Sequence, residues 1–99
     1  MTAHFNGLTP GEAERLAYLI EECSEVIKCA TKILRHSYDS HNPDKPGDGS
    51  NRNQLSREIA DVSNAVNLMY AARDIRPPSE AINEGKWKRY MHHQDGGDV

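Results

Sequence analysis

The stretch TPGEAERLAYLIEECSEVIKCATKILRH, residues 9–36, decides the fold class. Thr9-Pro10-Gly11-Glu12 has the form of a helix start: the threonine hydroxyl caps, proline suits the first helical position, and the glutamate three residues on can bond back to the cap. From there apolar residues fall at Leu16, Leu19, Ile20, Cys23, Val26, Ile27, Ala30, Ile33 and Leu34. They form one stripe at helical period over about five turns, with no glycine or proline to interrupt it before His36. The spacing predicts one long amphipathic helix.

On its C-terminal side, residues 37–53 turn polar. Pro43, Pro46, Gly47 and Gly49 stand among Asp, Asn and Ser, which offers no core face and predicts a long loop. A second helix follows, capped by Ser50 or Asn51, with Leu55, Ile59, Val62, Val66 and Met69 on one side and an end near Arg73 or Asp74, ahead of Pro77-Pro78. A shorter third helix is expected from about Ser79, carrying Ile82, Trp87, Tyr90 and Met91 with Gly85 in its middle. It gives way to a flexible tail over about 94–99. No internal repeat and no useful β-type alternation occurs. The fold class is therefore all-α: one domain over 1–99, a helical bundle built on two long antiparallel helices plus a shorter C-terminal helix.

Ninety-nine residues bury a thin core, so part of each apolar stripe is expected to be covered by a second copy of the chain, giving a homo-oligomer. The net charge of −3 and the pI near 5.9 argue against gripping polymeric nucleic acid through its phosphates. The longest apolar runs are a few residues, far short of the roughly 20 that span a bilayer, and no signal-peptide pattern opens the chain. These features point to a cytoplasmic protein with no membrane partner. Cys23 and Cys29 lie six apart on one helix, face different ways, and read as reduced thiols rather than zinc ligands.

Chemistry concentrates in Glu21-Glu22-Cys23-Ser24-Glu25 and in Glu58-Ile59-Ala60-Asp61. Acids at i and i+3 lie about 60° apart on a helix and one turn apart in height, so their carboxylates can converge. Two such pairs on facing helices make a four-carboxylate cage of Glu22, Glu25, Glu58 and Asp61. These acids border the apolar stripes, where they repel one another unless a cation sits among them. Ligation by oxygen alone points to Mg²⁺, with Mn²⁺ as the other hard ion, rather than zinc or copper. Against this stands the bland reading, in which Lys28, Lys32 and Arg57 pair with the acids on a solvated face.

The pattern Glu21-Glu22-x-x-Glu25 followed by Glu58-x-x-Asp61 resembles the MazG-like, all-α nucleoside triphosphate pyrophosphohydrolases. The likeness runs from about Leu8 to Asp74 and takes in Glu-Glu-Cys-Ser-Glu-Val-Ile-Lys, Lys-Ile-Leu-Arg-His and Arg-Glu-Ile-Ala-Asp-Val. The resemblance implies a helical bundle, dimeric or tetrameric, that converts a nucleoside triphosphate to the monophosphate and pyrophosphate with Mg²⁺. By that analogy Glu22, Glu25, Glu58 and Asp61 are the metal ligands, and Glu21 or Glu22 takes the proton of the attacking water. The loop over 37–53 makes the interval between Glu25 and Glu58 longer than is common in the family.

Phosphate binding also wants cations. Lys32, about two turns beyond Glu25 on the same face, is the first candidate, followed by Lys28 and Arg57, with Lys86 from the basic group Lys86, Lys88 and Arg89 in the last helix. Tyr18, one turn before Glu22, and Asn64, three residues past Asp61, can line a base pocket. Trp87 and Tyr90 read first as the anchor of the third helix, and His92-His93 as a basic end, since adjacent helical residues point apart. The rival class is a non-catalytic helical interaction protein with a solvated acidic face and an apolar dimer seam. A di-iron protein is disfavoured because no Glu-x-x-His pair occurs on the two long helices.

Overall fold

The computed structural model describes residues 6–77 and 84–95. Helix α1 spans Pro10–His36 and starts as its sequence predicts: Glu12 N–H donates to the Thr9 hydroxyl, and the Glu12 carboxylate accepts from Thr9 N–H at 2.8 Å, a complete capping box. Helix α2 spans Asn51–Ala71 and is capped by Ser50, whose hydroxyl accepts from Asn53 N–H. Helix α3 covers Glu84–Lys88. Its expected beginning, from Ser79 through Ile82, lies outside the described residues, as do tail residues 96–99 and Pro78.

α1 ends where Ser37 takes φ 78° and ψ 167°, a region that L residues rarely enter, which swings the chain sharply off the helix axis. The linker runs to Ser50 and includes a single 3-10 turn at Pro46–Asp48. It is tied to α2 from both sides, by Asn51 N–H to Ser40 O and Arg52 N–H to Tyr38 O, both 2.8 Å. The expected loop thus closes earlier than residue 53, because the Ser50 cap nucleates the helix at once.

α2 stops sooner than Arg73. Ala72 is its C-cap, Arg73 is left-handed with φ 65°, and the N–H groups of Arg73 and Asp74 bond back to Tyr70 O and Met69 O. That is a Schellman ending with arginine where glycine is usual. It aims Asp74 back at α1, where the Arg15 guanidinium holds it with two hydrogen bonds. At the other end of the pair Lys32 Nζ reaches Gln54 Oε1. The start of α1 lies beside the end of α2 and the end of α1 beside the start of α2, so the two helices are antiparallel, and their contact is the one extensive helix–helix interface among the described residues.

The apolar stripes are split by this packing. Leu19, Val26 and Ile33 are half-buried toward α2, but Ile20, Ile27 and Leu34 are 68, 66 and 88% exposed, and on α2 Ile59 is 49% exposed. Buried apolar side chains among the described residues come down to Ala65 and Met69. One partner helix covers only one side of a stripe this wide, so the pair presents an open apolar face. Cys23, Val26, Ile27, Ile59, Val62 and Ser63 line a groove of about 350 Å³ along it, and Ala30, Ile33, Leu34 and Leu55 line its continuation toward Tyr38.

Candidate metal centre

Around the axis of α1, Glu22 and Glu25 lie on the flank opposite the exposed Ile20, Ile27 and Leu34, and Asp61 holds the matching flank of α2. The helix pair therefore has an apolar side and an acidic side. Glu22, Glu58 and Asp61 are all half-buried, and each offers a carboxylate oxygen within 4.8 Å of the other two. Two helices are needed for this: Glu58 and Asp61 come from adjacent turns of α2, and Glu22 meets them across the interface.

The electrostatics follow from the crowding. The Glu22 carboxyl titrates above its ordinary range, first because partial burial disfavours the charged form, then because Asp61, Glu58, Glu21 and Glu25 repel it. Tyr18 is raised as well, by burial and by Glu22, Asp61 and Glu21. The Cys29 thiol is raised by burial and by Glu58. Cys29, which the sequence marks only as a reduced thiol, is two turns beyond Glu22 on the same flank. The i+7 spacing from Glu22 was the signal for it.

Glu25 is half-buried one turn on from Glu22 and is not one of the three converging carboxylates. Its Oε2 lies 3.9 Å from Lys28 Nζ, an i,i+3 pair along α1, and Lys28 is largely exposed. Glu21 is exposed and reaches the cluster only through its field. Lys32 is half-buried at the far end of the same flank, on Gln54. Arg57 is exposed and turned to the linker, where its guanidinium donates to Asp48 O at 2.6 Å. The Asp48 carbonyl holds it there, and no ion pair joins it to the acids. Tyr18 is half-buried beside Glu22, and Asn64 is exposed. Lys86 is exposed on α3 in a small apolar cluster with Trp87, Tyr90 and Met91, Lys88 sits over the Trp87 ring at 5.9 Å, and His92 bonds locally to Arg89 O. Both cysteines are free thiols.

The donor set suits a hard divalent ion. Octahedral Mg²⁺ holds oxygens at about 2.1 Å, which sets neighbouring ligand oxygens about 3 Å and opposite ones about 4.2 Å apart, a span comparable with the 4.8 Å within which the three carboxylate oxygens lie. Thiolate and imidazole are absent from the trio, so softer metals have no preferred ligand there. Compared with protein-family models, curated proteins and solved structures, the chain matches none of them.

Proposed function

We propose that the protein is a Mg²⁺-dependent nucleoside triphosphate pyrophosphohydrolase of the MazG-like kind, releasing pyrophosphate and a nucleoside monophosphate. The observation that carries this reading is the convergence of Glu22, Glu58 and Asp61 from two helices within 4.8 Å, with no cation side chain bonded to any of them among the described residues. In this reading Glu22, Glu58 and Asp61 hold the ion, and Glu25 joins them by releasing Lys28. When bound, Mg²⁺ neutralises the triphosphate oxygens and acidifies the water that attacks the α-phosphorus. Glu22 is the carboxylate best fitted to accept that water's proton, because partial burial and then its acidic neighbours raise its proton affinity. Tyr18 borders the same space and lies against the nucleoside. Lys28 and Lys32, on the same side of α1, meet the phosphates farther from the reacting bond.

The working unit in this proposal is a cytoplasmic homo-oligomer, in which a second copy covers the open face carrying Ile20, Ile27, Leu34 and Ile59. That same face favours the second reading, a helical interaction protein whose acids are only a solvated flank. A panel of canonical, deoxy and oxidised nucleoside triphosphates with Mg²⁺ separates the two. Monophosphate and pyrophosphate appear in equal amounts from at least one of them if the enzyme reading holds. Wild-type inactivity on every member of the panel, with no Mg²⁺ binding, leaves the interaction reading.

A further inference from the structure

A second polar site lies at the other end of the helix pair, where α1 ends and α2 begins. Lys32, Arg35 and His36 of α1 and Ser40, His41 and Asn42 of the linker surround a cavity of about 290 Å³, with Asn51 as part of its wall. No carboxylate lines it. The nearest acid in sequence, Asp39, is turned to the Arg52 guanidinium at 3.4 Å. Arg35, His36 and His41 make no ion pair among the described residues, and Lys32 touches only the neutral Gln54 amide.

The wall formed by Asn51 is fixed. Asn51 is 3% exposed, and its Nδ2 donates to Ser37 O at 2.9 Å, which pins the amide so that Oδ1 is the free atom. That oxygen is buried with no hydrogen-bond partner, an acceptor left waiting for a donor. The Asn51–Ser37 bond also holds Ser37 in its strained backbone, and the His41–Ser50 bridge ties the linker to the start of α2 beside the cavity. The N–H groups of the first turn of α2 are already taken, by Ser40 O, Tyr38 O, the Ser50 hydroxyl and Ser50 O. A ligand here is met by side chains rather than by a bare helix end.

We propose that this pocket binds a phosphate group. Arg35 supplies a planar fork and Lys32 a point charge. The linker adds two small polar side chains and an imidazole. Complementing the dipole at the end of α1 accounts for Arg35 and His36, but not for His41 arriving from the linker to the same cavity. A cavity of this size holds a phosphate and an attached sugar, with any base left outside it. Lys32 is ten residues past Glu22, and Asn51 seven before Glu58, which sets the pocket about 10–15 Å along the helices from the carboxylates. The pocket shares Lys32 with the phosphate contacts proposed above, but the binding inferred here needs neither metal nor pyrophosphohydrolase activity.

The test is an amide and histidine-ring NMR titration of the full chain in EDTA, with inorganic phosphate in one arm and a nucleoside monophosphate in the other. Saturable shifts centred on Lys32, Arg35, His36, His41 and Asn51 are expected in at least one arm. A nucleotide that binds about ten-fold more tightly than inorganic phosphate identifies a phosphate delivered on a nucleoside, and equal affinities identify free phosphate. The double variant Lys32→Gln/Arg35→Gln weakens binding at least about ten-fold, while Arg76→Gln leaves it unchanged. Shifts spread evenly over the exposed cations, or still histidine rings in the wild type in both arms, overturn the proposal, and the wild-type readout decides even if the double variant does not fold.

Discussion

Arg15 and Asp74 are 59 residues apart in the chain and are joined by two parallel hydrogen bonds, Nε to Oδ2 at 2.5 Å and Nη2 to Oδ1 at 3.0 Å, with the Asp74 side chain only 10% exposed. The pair closes the end of the two-helix unit nearest the start of α1, and it depends on the left-handed turn at Arg73 that brings Asp74 back against α1.

The Arg15 guanidinium holds the Asp74 carboxyl below its usual range, chiefly through the hydrogen bonds. A carboxyl whose folded value is depressed stabilises the fold fully above its unfolded value, near 3.9, and loses that contribution as pH falls toward the folded value. Thermal melts of the wild type are therefore expected to drop steeply below about pH 4. Asp74→Asn should melt several degrees lower at pH 7 and show a shallower acid limb. Parallel pH profiles of the two proteins would remove this account of the clamp.

Ser37 occupies a backbone region that suits glycine, and its strain is worth about 1–3 kcal/mol. Ser37→Gly is expected to raise stability by about 1 kcal/mol in denaturant unfolding, after the greater freedom of glycine in the unfolded chain is subtracted. Ser37→Val should lower it. A neutral Ser37→Gly would mean that the strain at Ser37 is no larger than the extra freedom glycine gains in the unfolded chain.

With the carboxylates as ligands, Mg²⁺ raises the melting temperature of the wild type in a concentration-dependent way, since the ion binds the folded chain and not the unfolded one. Glu58→Gln and Asp61→Asn are expected to abolish that shift and, if the proposed hydrolysis is observed, to reduce its kcat/KM by more than about 100-fold. Glu25→Gln, outside the converging trio, keeps part of both. Identical Mg²⁺ responses in all four proteins would place the ion elsewhere.

Ile27 and Ile59 stand on the open apolar face, beside the groove they both line. Ile27→Lys, alone or with Ile59→Lys, is expected to shift the sedimentation coefficient of the protein from that of an oligomer to that of a monomer, with a loss of helicity because the isolated pair buries so little. An unchanged coefficient would mean that the face is not the seam between copies.

Much of this molecule is local and was legible in its residues. The Thr9 capping box, the Ser50 cap, the Pro/Gly-rich linker and the i,i+3 acid pairs depend on contacts within a turn or two, so each is encoded where it occurs. Boundaries set by distant partners were not legible. α2 ends at Ala71 rather than Arg73 or Asp74 because Arg73 turns left-handed and Asp74 is captured by Arg15, and an arginine carries no local sign of that conformation.

The sequence by itself determined the all-α class, the two long helices and the four acids that border their stripes, because helical period and capping are properties of neighbouring residues. Only the tertiary structure decided that Glu22, Glu58 and Asp61 converge while Glu25 turns toward Lys28, that Arg57 serves the linker, and that about half of the α1 stripe, together with Ile59 of α2, faces outward. Those outcomes hang on the rotation of each helix about its axis and on which face meets the other, and antiparallel packing sets both through residues as far apart as Arg15 and Asp74.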